Sequence, residues 1–181
     1  MVAVIAAIAL AALIARLADD DTNSVETTAW ASSVCTSLSD WRSSITALAD
    51  VGGGELTPES LGAKLDAAED ATSQLVAELQ DLGPPDLDAG DDLKQELDAS
   101  VVELRLHFEA LKQGAQEAAQ AGPTDFLRKL AALAPEFQAL LDAISSTVED
   151  LRDANVAEDA KAELRQAFED AESCQELREQ S

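Results

Sequence analysis

Five stretches of this chain place apolar residues at spacings of three and four, and most of the breaks between them contain glycine or proline. This spacing puts the apolar residues on one face of an α-helix, where they can pack against other helices. Hydrophobic residues make up 46% of the chain and tyrosine is absent, which predicts a mainly aliphatic core. The sequence therefore predicts an all-α, up-and-down helical bundle of about five helices.

Local signals indicate where the first two helices begin. Asn23 or Ser24 is the expected N-cap of the first helix, and Glu26 is placed to accept a hydrogen bond from the backbone N–H of the cap residue. Three glycines at 52–54 end that helix with a flexible turn. Thr57 followed by Pro58 is a strong start for the second helix, because it combines a capping side chain with a preset backbone angle.

The third and fourth helices are less sharply defined. The third has two candidate starts, at Asp86 and Asp88 or at Asp91 and Asp92, and Gly122 and Pro123 end it. Pro135 lies inside the fourth apolar run, which extends from about residue 125 to 151. Because the phase of the run is the same on both sides of this proline, the sequence predicts one kinked helix. The last helix is expected over roughly 158–179.

The N-terminal segment is continuously apolar over residues 2–15, and Arg16 and an acidic run at 19–21 follow it. As a helix it would cover about 26 Å of a roughly 30 Å hydrocarbon layer, and no basic residue precedes it. Three interpretations are open: an export signal or N-terminal anchor, a buried helix of a soluble protein, or an orphan amphiphile. A true start further upstream is one way to account for the missing basic region of a signal. The sequence predicts three parts of the chain: a signal peptide or membrane anchor at 1–18, a polar linker at 19–24 and a single helical-bundle domain at 25–181.

The chain has two cysteines, Cys35 and Cys174, and no CxxC spacing. In an oxidising compartment they are expected to form a disulfide, whereas in the cytosol they would be two buried thiols. If the chain reverses near Asn155, both lie about 20 Å below the same end of the bundle; without the reversal Cys174 would lie roughly 70 Å below it. A disulfide therefore requires a reversal near Asn155 and adjacent, parallel first and last helices.

Two motifs surround these cysteines. The first is W-x-x-x-V-C-x-x-L-x-x-W, from Trp30 to Trp41, and the second is the terminal C-x-x-L of Cys174 and Leu177. With these motifs and its helix pattern, the chain resembles a group of small exported helical proteins of actinobacteria, many of them lipoproteins. The resemblance implies export and a cysteine staple, but no particular activity. The lipobox cysteine of the lipoprotein members is missing after the apolar segment.

The formal net charge of the chain is -24, from 36 acidic and 12 basic residues. Such a charge repels nucleic acid and anionic membrane surfaces, so we predict no nucleic-acid partner. A cationic partner is compatible with it, although an acidic surface also serves solubility alone.

No constellation of residues predicts chemistry. His107 is the only histidine, and although Glu103 lies one helical turn before it, a ferritin-like di-iron site needs Glu-x-x-His on two helices. An EF-hand register starting at Asp86 fails, because it puts Asp91 where glycine belongs and Leu97 where the bidentate glutamate belongs. We therefore predict no catalytic residue, no metal site and no cofactor.

The sequence favours a non-catalytic, secreted or cell-surface protein that binds an unknown protein or envelope partner, with a possible membrane tether through residues 1–18. The alternative is an extracytoplasmic small-ligand sensor or carrier, with a cavity opened by Gly114, Pro135 and small alanines. An enzyme comes third. A sealed core would favour the first function, an apolar pocket with converging polar groups the second, and a buried acid beside His107 the third.

Overall fold

The computed structural model describes residues 25–49 and 57–179, which form seven α-helices and no strand beyond one isolated bridge. The all-α prediction is confirmed. The predicted segments 1–18 and 19–24, with the capping candidates Asn23 and Ser24, lie outside the described residues. The helices are α1 (Thr27–Ala49), α2 (Pro58–Asp81), α3 (Gly90–Ala119), α4 (Pro123–Ala131), α5 (Ala134–Arg152), α6 (Glu158–Asp170) and α7 (Glu172–Glu179).

Over the described ranges, no helix combines the length and the apolar character that a bilayer crossing needs.

The seven helices correspond to the five predicted ones: α4 and α5 together cover the fourth, and α6 and α7 together cover the last. We call each of these five units a rod. Helix α1 packs against α2, α5, α6 and α7, while α3 packs against α2, α4 and α5. Helices α1 and α2 run antiparallel, since Ser37 hydrogen bonds to Glu78 near one end of the pair and Lys64 bonds to Ala47 near the other. The up-and-down arrangement is therefore confirmed.

Both tryptophans lie in the centre of the core. Trp30 is fully buried and meets the ring of Phe168 edge to face, with 6.1 Å between the ring centroids. The indole N–H of Trp41 donates to the hydroxyl of Thr72 at 2.8 Å, which satisfies a polar group that burial would otherwise leave unpaired. The predicted apolar face of α3 is buried along its whole length: Leu93, Leu97, Val101, Leu104, Phe108, Leu111, Ala115 and Ala118.

The start of α1 differs from the prediction. Glu26 itself caps the helix, because its carboxylate accepts hydrogen bonds from the backbone N–H groups of Thr28 and Ala29 at 3.1 and 2.8 Å. These bonds lower the pKa of Glu26. Just before the helix, the N–H of Val25 donates to the carbonyl of Pro84 at 2.9 Å, which fixes the incoming chain against the α2–α3 connection.

The predicted start of α2 is confirmed. Thr57 is the N-cap, its side chain accepts from the backbone N–H of Ser60, and Pro58 occupies the first helical position. The start of α3 follows the later of the two candidates, with Asp91 and Asp92 in its first turn. Acidic side chains there oppose the partial positive charge of the free N–H groups.

Gly90 begins α3 at a point where another residue would not fit. A Cβ atom at this position would lie 2.1 Å from the backbone oxygen of Pro85. The α2–α3 connection can therefore fold tightly over the start of α3 only because residue 90 has no side chain.

The prediction of one kinked helix around Pro135 is wrong. Helix α4 ends at Ala131 and α5 begins at Ala134, so Pro135 lies in the first turn of a new helix. A proline is well tolerated there, because the N–H that it lacks has no partner within the helix at that position.

The last predicted helix is also divided. Ala171, with φ -70° and ψ 115°, leaves the helical region between α6 and α7. Neither glycine nor proline is present at this break, and the structure offers no local reason for it.

Candidate functional site

The predicted bond between Cys35 and Cys174 is present. The sulfur atoms are 2.01 Å apart, the Cα atoms are 5.0 Å apart, and the bond spans a sequence separation of 139. Before the cysteine in both segments, Thr27 donates to Glu163 at 3.3 Å and Ser173 donates to the carbonyl of Ser32 at 3.0 Å, so the partners advance along the chain together. The first and last rods are therefore adjacent and parallel, as the cysteine positions require.

The chain reversal near Asn155 is confirmed, since α5 ends at Arg152 and α6 begins at Glu158. Asp153 stabilises this reversal through hydrogen bonds from residues on both sides of it. Its carboxylate accepts from Arg152 at 2.8 Å and from the Nε of Arg165 at 3.0 Å. These two hydrogen bonds lower the pKa of Asp153 to about 2, and the bond from Arg152 has the larger effect.

His107 and Glu103 form only a surface pair. The Nε2 atom of His107 and the Oε1 atom of Glu103 are 3.8 Å apart, and 41% and 74% of the two side chains are exposed. The buried acid that would favour an enzyme is therefore not Glu103.

The four aspartates near the start of α3 point to solvent. Asp86, Asp88, Asp91 and Asp92 are all exposed. Across residues 25–49 and 57–179, no group of three or more His, Cys, Asp or Glu side chains is arranged to hold a metal ion.

A polar groove of about 370 Å³ lies between α3 and α5. Glu103, Asp142 and Asp150 contribute carboxylates to it, and no basic side chain is among its lining residues in the described chain. Burial, and secondarily the charge of Asp150, raises the pKa of nearby Glu96. The groove thus concentrates negative charge without a partner group for chemistry.

The most distinctive concave feature is an apolar pocket where the end of α1 and the start of α2 meet α3, α4 and α5. Its volume is about 440 Å³. Small-molecule sites typically measure about 300–1,000 Å³, so the pocket is large enough for a ligand. The lining residues are Leu48, Leu61, Leu65, Leu111, Ala115, Leu127, Leu130, Ala131, Leu133, Ala134, Phe137 and Gln138.

Several of these residues come from the stripe that the sequence assigned to close packing. Leu130, Leu133 and Phe137 are only half-buried, because each packs against the core on one side and lines the pocket on the other. Leu127 lies off the predicted stripe and has 61% of its surface exposed. Periodicity alone did not single out these four residues as pocket-forming.

Gly114 and Pro135, which the sequence marked as cavity-forming, both lie beside this pocket. A Cβ atom on Gly114 would lie 2.5 Å from a terminal methyl carbon of Leu133, so the missing side chain admits Leu133 against α3. Pro135 starts α5 next to the lining residue Ala134. The chain break at 132–133 between α4 and α5 therefore lies at the wall of the pocket.

The chemistry of the pocket wall is uniform. Gln138 is its single polar side chain among the described lining residues, and none of those residues carries a charge. The converging polar groups expected of a small-ligand site are therefore missing from the described wall. Such a wall can hold an uncharged, apolar group by excluding water, but it offers no acid, base or nucleophile for catalysis.

Comparisons with protein-family models, with curated proteins and with solved structures each find no match to this chain.

Proposed function

We propose that this protein is an exported, non-catalytic carrier or sensor that binds a small apolar molecule in the pocket between α1, α2, α3, α4 and α5. The observation that carries this proposal is the 440 Å³ pocket with an almost entirely aliphatic wall. Burying hydrocarbon surface contributes about 25 cal/mol per Å², so such a pocket binds through the shape and apolar surface of its ligand.

Export is supported by features of the chain outside the pocket. Disulfides persist in oxidising compartments, and the bond between Cys35 and Cys174 closes most of the chain. The apolar segment at 1–18 and the resemblance to exported helical proteins agree with a secreted or surface-anchored protein. We accordingly place the ligand outside the cytoplasm.

Binding of an unknown protein or envelope partner is the alternative. The large apolar side chains exposed on the described surface are Val102, Leu106 and Leu127. Of these, Leu127 belongs to the pocket, and the other two lie one turn apart on α3. A stable protein interface has an apolar centre and buries about 800 Å² per partner, so these two residues support it less well than the pocket supports a ligand.

Titration with Nile red, an uncharged apolar dye, tests the proposal on the full chain. We expect saturable binding with a rise in dye fluorescence. The Ala131→Phe variant should weaken binding on the order of tenfold, because excluding roughly 55 Å² of apolar ligand surface removes about 1.4 kcal/mol. Ala132→Phe is the matched control, since Ala132 is the exposed neighbour of Ala131 and does not line the pocket.

Equal dye affinity in the wild type and both variants would show that the dye binds elsewhere. Absence of saturable binding would remove the support for a carrier or sensor and would favour the partner-binding alternative.

A further inference from the structure

Helix α4 packs closely on fewer helices than the others that line the pocket. It packs mainly on α3. Phe126 is its one fully buried side chain among those described, and this ring belongs to a small apolar cluster separate from the main core. Leu130 packs against the same cluster but is only half-buried.

The polar side chains of α4 do not strengthen this attachment. Arg128 pairs with Asp125 of the same helix at 2.6 Å. Within the described chain, no side chain of α4 forms a hydrogen bond or ion pair with another helix. The helix is therefore held to the bundle by apolar contact centred on Phe126.

Both ends of α4 are suited to bending. Before it, Gly122 is exposed and has no neighbouring atom within 4 Å of where a Cβ would be. After it, residues 132–133 form a turn, and Leu133 is fixed against Gly114 of α3. A rotation of α4 between these two points would leave α3 and α5 in place.

Leu127 shows what such a rotation would achieve. It lines the pocket, and 61% of its surface is exposed to water, so much of this aliphatic side chain is available for further burial. A ligand in the pocket would give Leu127 an apolar surface to cover, and burying that surface favours the rotated position of α4.

We propose that α4 is a lid that closes over the bound apolar molecule, with Phe126 as its anchor and Leu127 as the residue that moves onto the ligand. The purpose of the lid rests on the proposed function, whereas its independent mobility does not. Lids of ligand-binding proteins are drawn from segments with few buried contacts, and in α4 the buried side chain among those described is Phe126.

Limited digestion with trypsin tests the mobility, because α4 carries two cleavable bonds after Arg128 and Lys129. In the native, ligand-free protein we expect cleavage there at least about tenfold faster than after Arg105, which is also exposed but lies in the middle of α3. The cut separates Cys35 from Cys174, so the two fragments stay joined on a non-reducing gel and part on a reducing gel.

Two variants sharpen this test. Phe126→Ala removes the anchor and should accelerate cleavage in α4 by roughly two orders of magnitude, while cleavage after Arg105 stays within about threefold. Leu127→Ala keeps the anchor and should leave the ligand-free rate nearly unchanged. Cleavage after Arg105 at the same rate as in α4, or an unchanged rate in Phe126→Ala, would overturn the lid.

Saturating Nile red tests the closure. We expect it to slow cleavage in α4 of the wild type by about tenfold or more, and to slow it less than about twofold in Leu127→Ala. Dye binding that is sensitive to Ala131→Phe but leaves the cleavage rate unchanged would refute the lid and preserve the proposed function. Absence of dye binding would refute the proposed function together with the closed state, whatever the ligand-free rate.

Discussion

Removal of the disulfide is the perturbation with the largest expected effect on stability. The double variant Cys35→Ala/Cys174→Ala deletes the bond and introduces no charged or bulky group. Both cysteines are buried, with 0% and 1% of their surfaces exposed. The fold around them is otherwise supported by the contacts of α1 with α6 and α7, so we expect the native helix content to remain.

The magnitude follows from the length of the closed loop. For a separation of 139 residues, the chain-entropy model gives about 5 kcal/mol of stabilisation at 25 °C. Small domains have free energies of unfolding of about 5–15 kcal/mol, so the variant should be marginally stable. The effect lies in the unfolded ensemble, which the bond keeps compact.

Urea unfolding, followed by the fluorescence of Trp30 and Trp41, measures this difference. The variant should unfold at much lower urea concentration, and its m value should rise because the unlinked denatured chain exposes more surface. Wild type measured with a reductant is the matched control, since it keeps both sulfur atoms and therefore separates the loss of the bond from the loss of volume.

A decrease of less than about 1 kcal/mol in both the variant and the reduced wild type would refute this reasoning. It would mean that the denatured chain already holds its first and last segments together, or that the bond strains the native bundle.

Two further predictions concern the fold. Gly90→Ala should lower the free energy of unfolding by about 1–3 kcal/mol because a Cβ there meets backbone, whereas Gly62→Ala, in a helix with nothing within 4 Å, should raise it by about 0.5–1 kcal/mol; urea unfolding measures both. For Asp153, whose pKa is lowered from 3.8 to about 2, the bonds to Arg152 and Arg165 stabilise the fold fully above its ordinary pKa and are lost as the pH falls through about 2. Thermal unfolding between pH 5 and pH 2 should therefore show a smaller acid-dependent loss in Asp153→Asn than in the wild type, and identical profiles would contradict the assigned role.

Periodicity predicted the bundle because burial of apolar faces dominates helix packing. The stripe from Leu93 to Ala118 illustrates this, since each of its residues is buried on one helix. The reversal near Asn155 could be predicted only with an additional constraint. A disulfide requires Cys35 and Cys174 to lie at the same level along the bundle axis. A covalent link thus resolved a boundary for which the local sequence gave only a weak signal.

The break before Pro135 escaped prediction for a geometric reason. Ala132 and Leu133 keep nearly helical backbone angles, with φ and ψ of -71° and -13°, and of -85° and -3°. Both residues thus stay in the right-handed helical region although the regular helix is interrupted. The phase of the stripe is therefore preserved across the break and cannot reveal it.

The pocket could be predicted only in part. Gly114 and Pro135 marked its neighbourhood, because a missing side chain and a helix start both change local spacing. The identity of its wall could not be read from the stripe, since periodicity shows which face is apolar but not how closely the opposite helix approaches it. Leu130 and Leu133 illustrate this limit: their spacing matches that of fully buried leucines.

The hydrogen bond between Val25 and Pro84 also fixes the point at which any preceding chain joins the bundle. Any preceding chain is attached at the end of the bundle where α1 begins, whereas Leu48, in the pocket wall, lies about 32 Å further along that helix. A tether upstream of residue 25 would therefore join the bundle at the end away from the pocket. Exchange of a ligand with the tethering surface would require the whole bundle to tip over, while exchange with the surroundings would not.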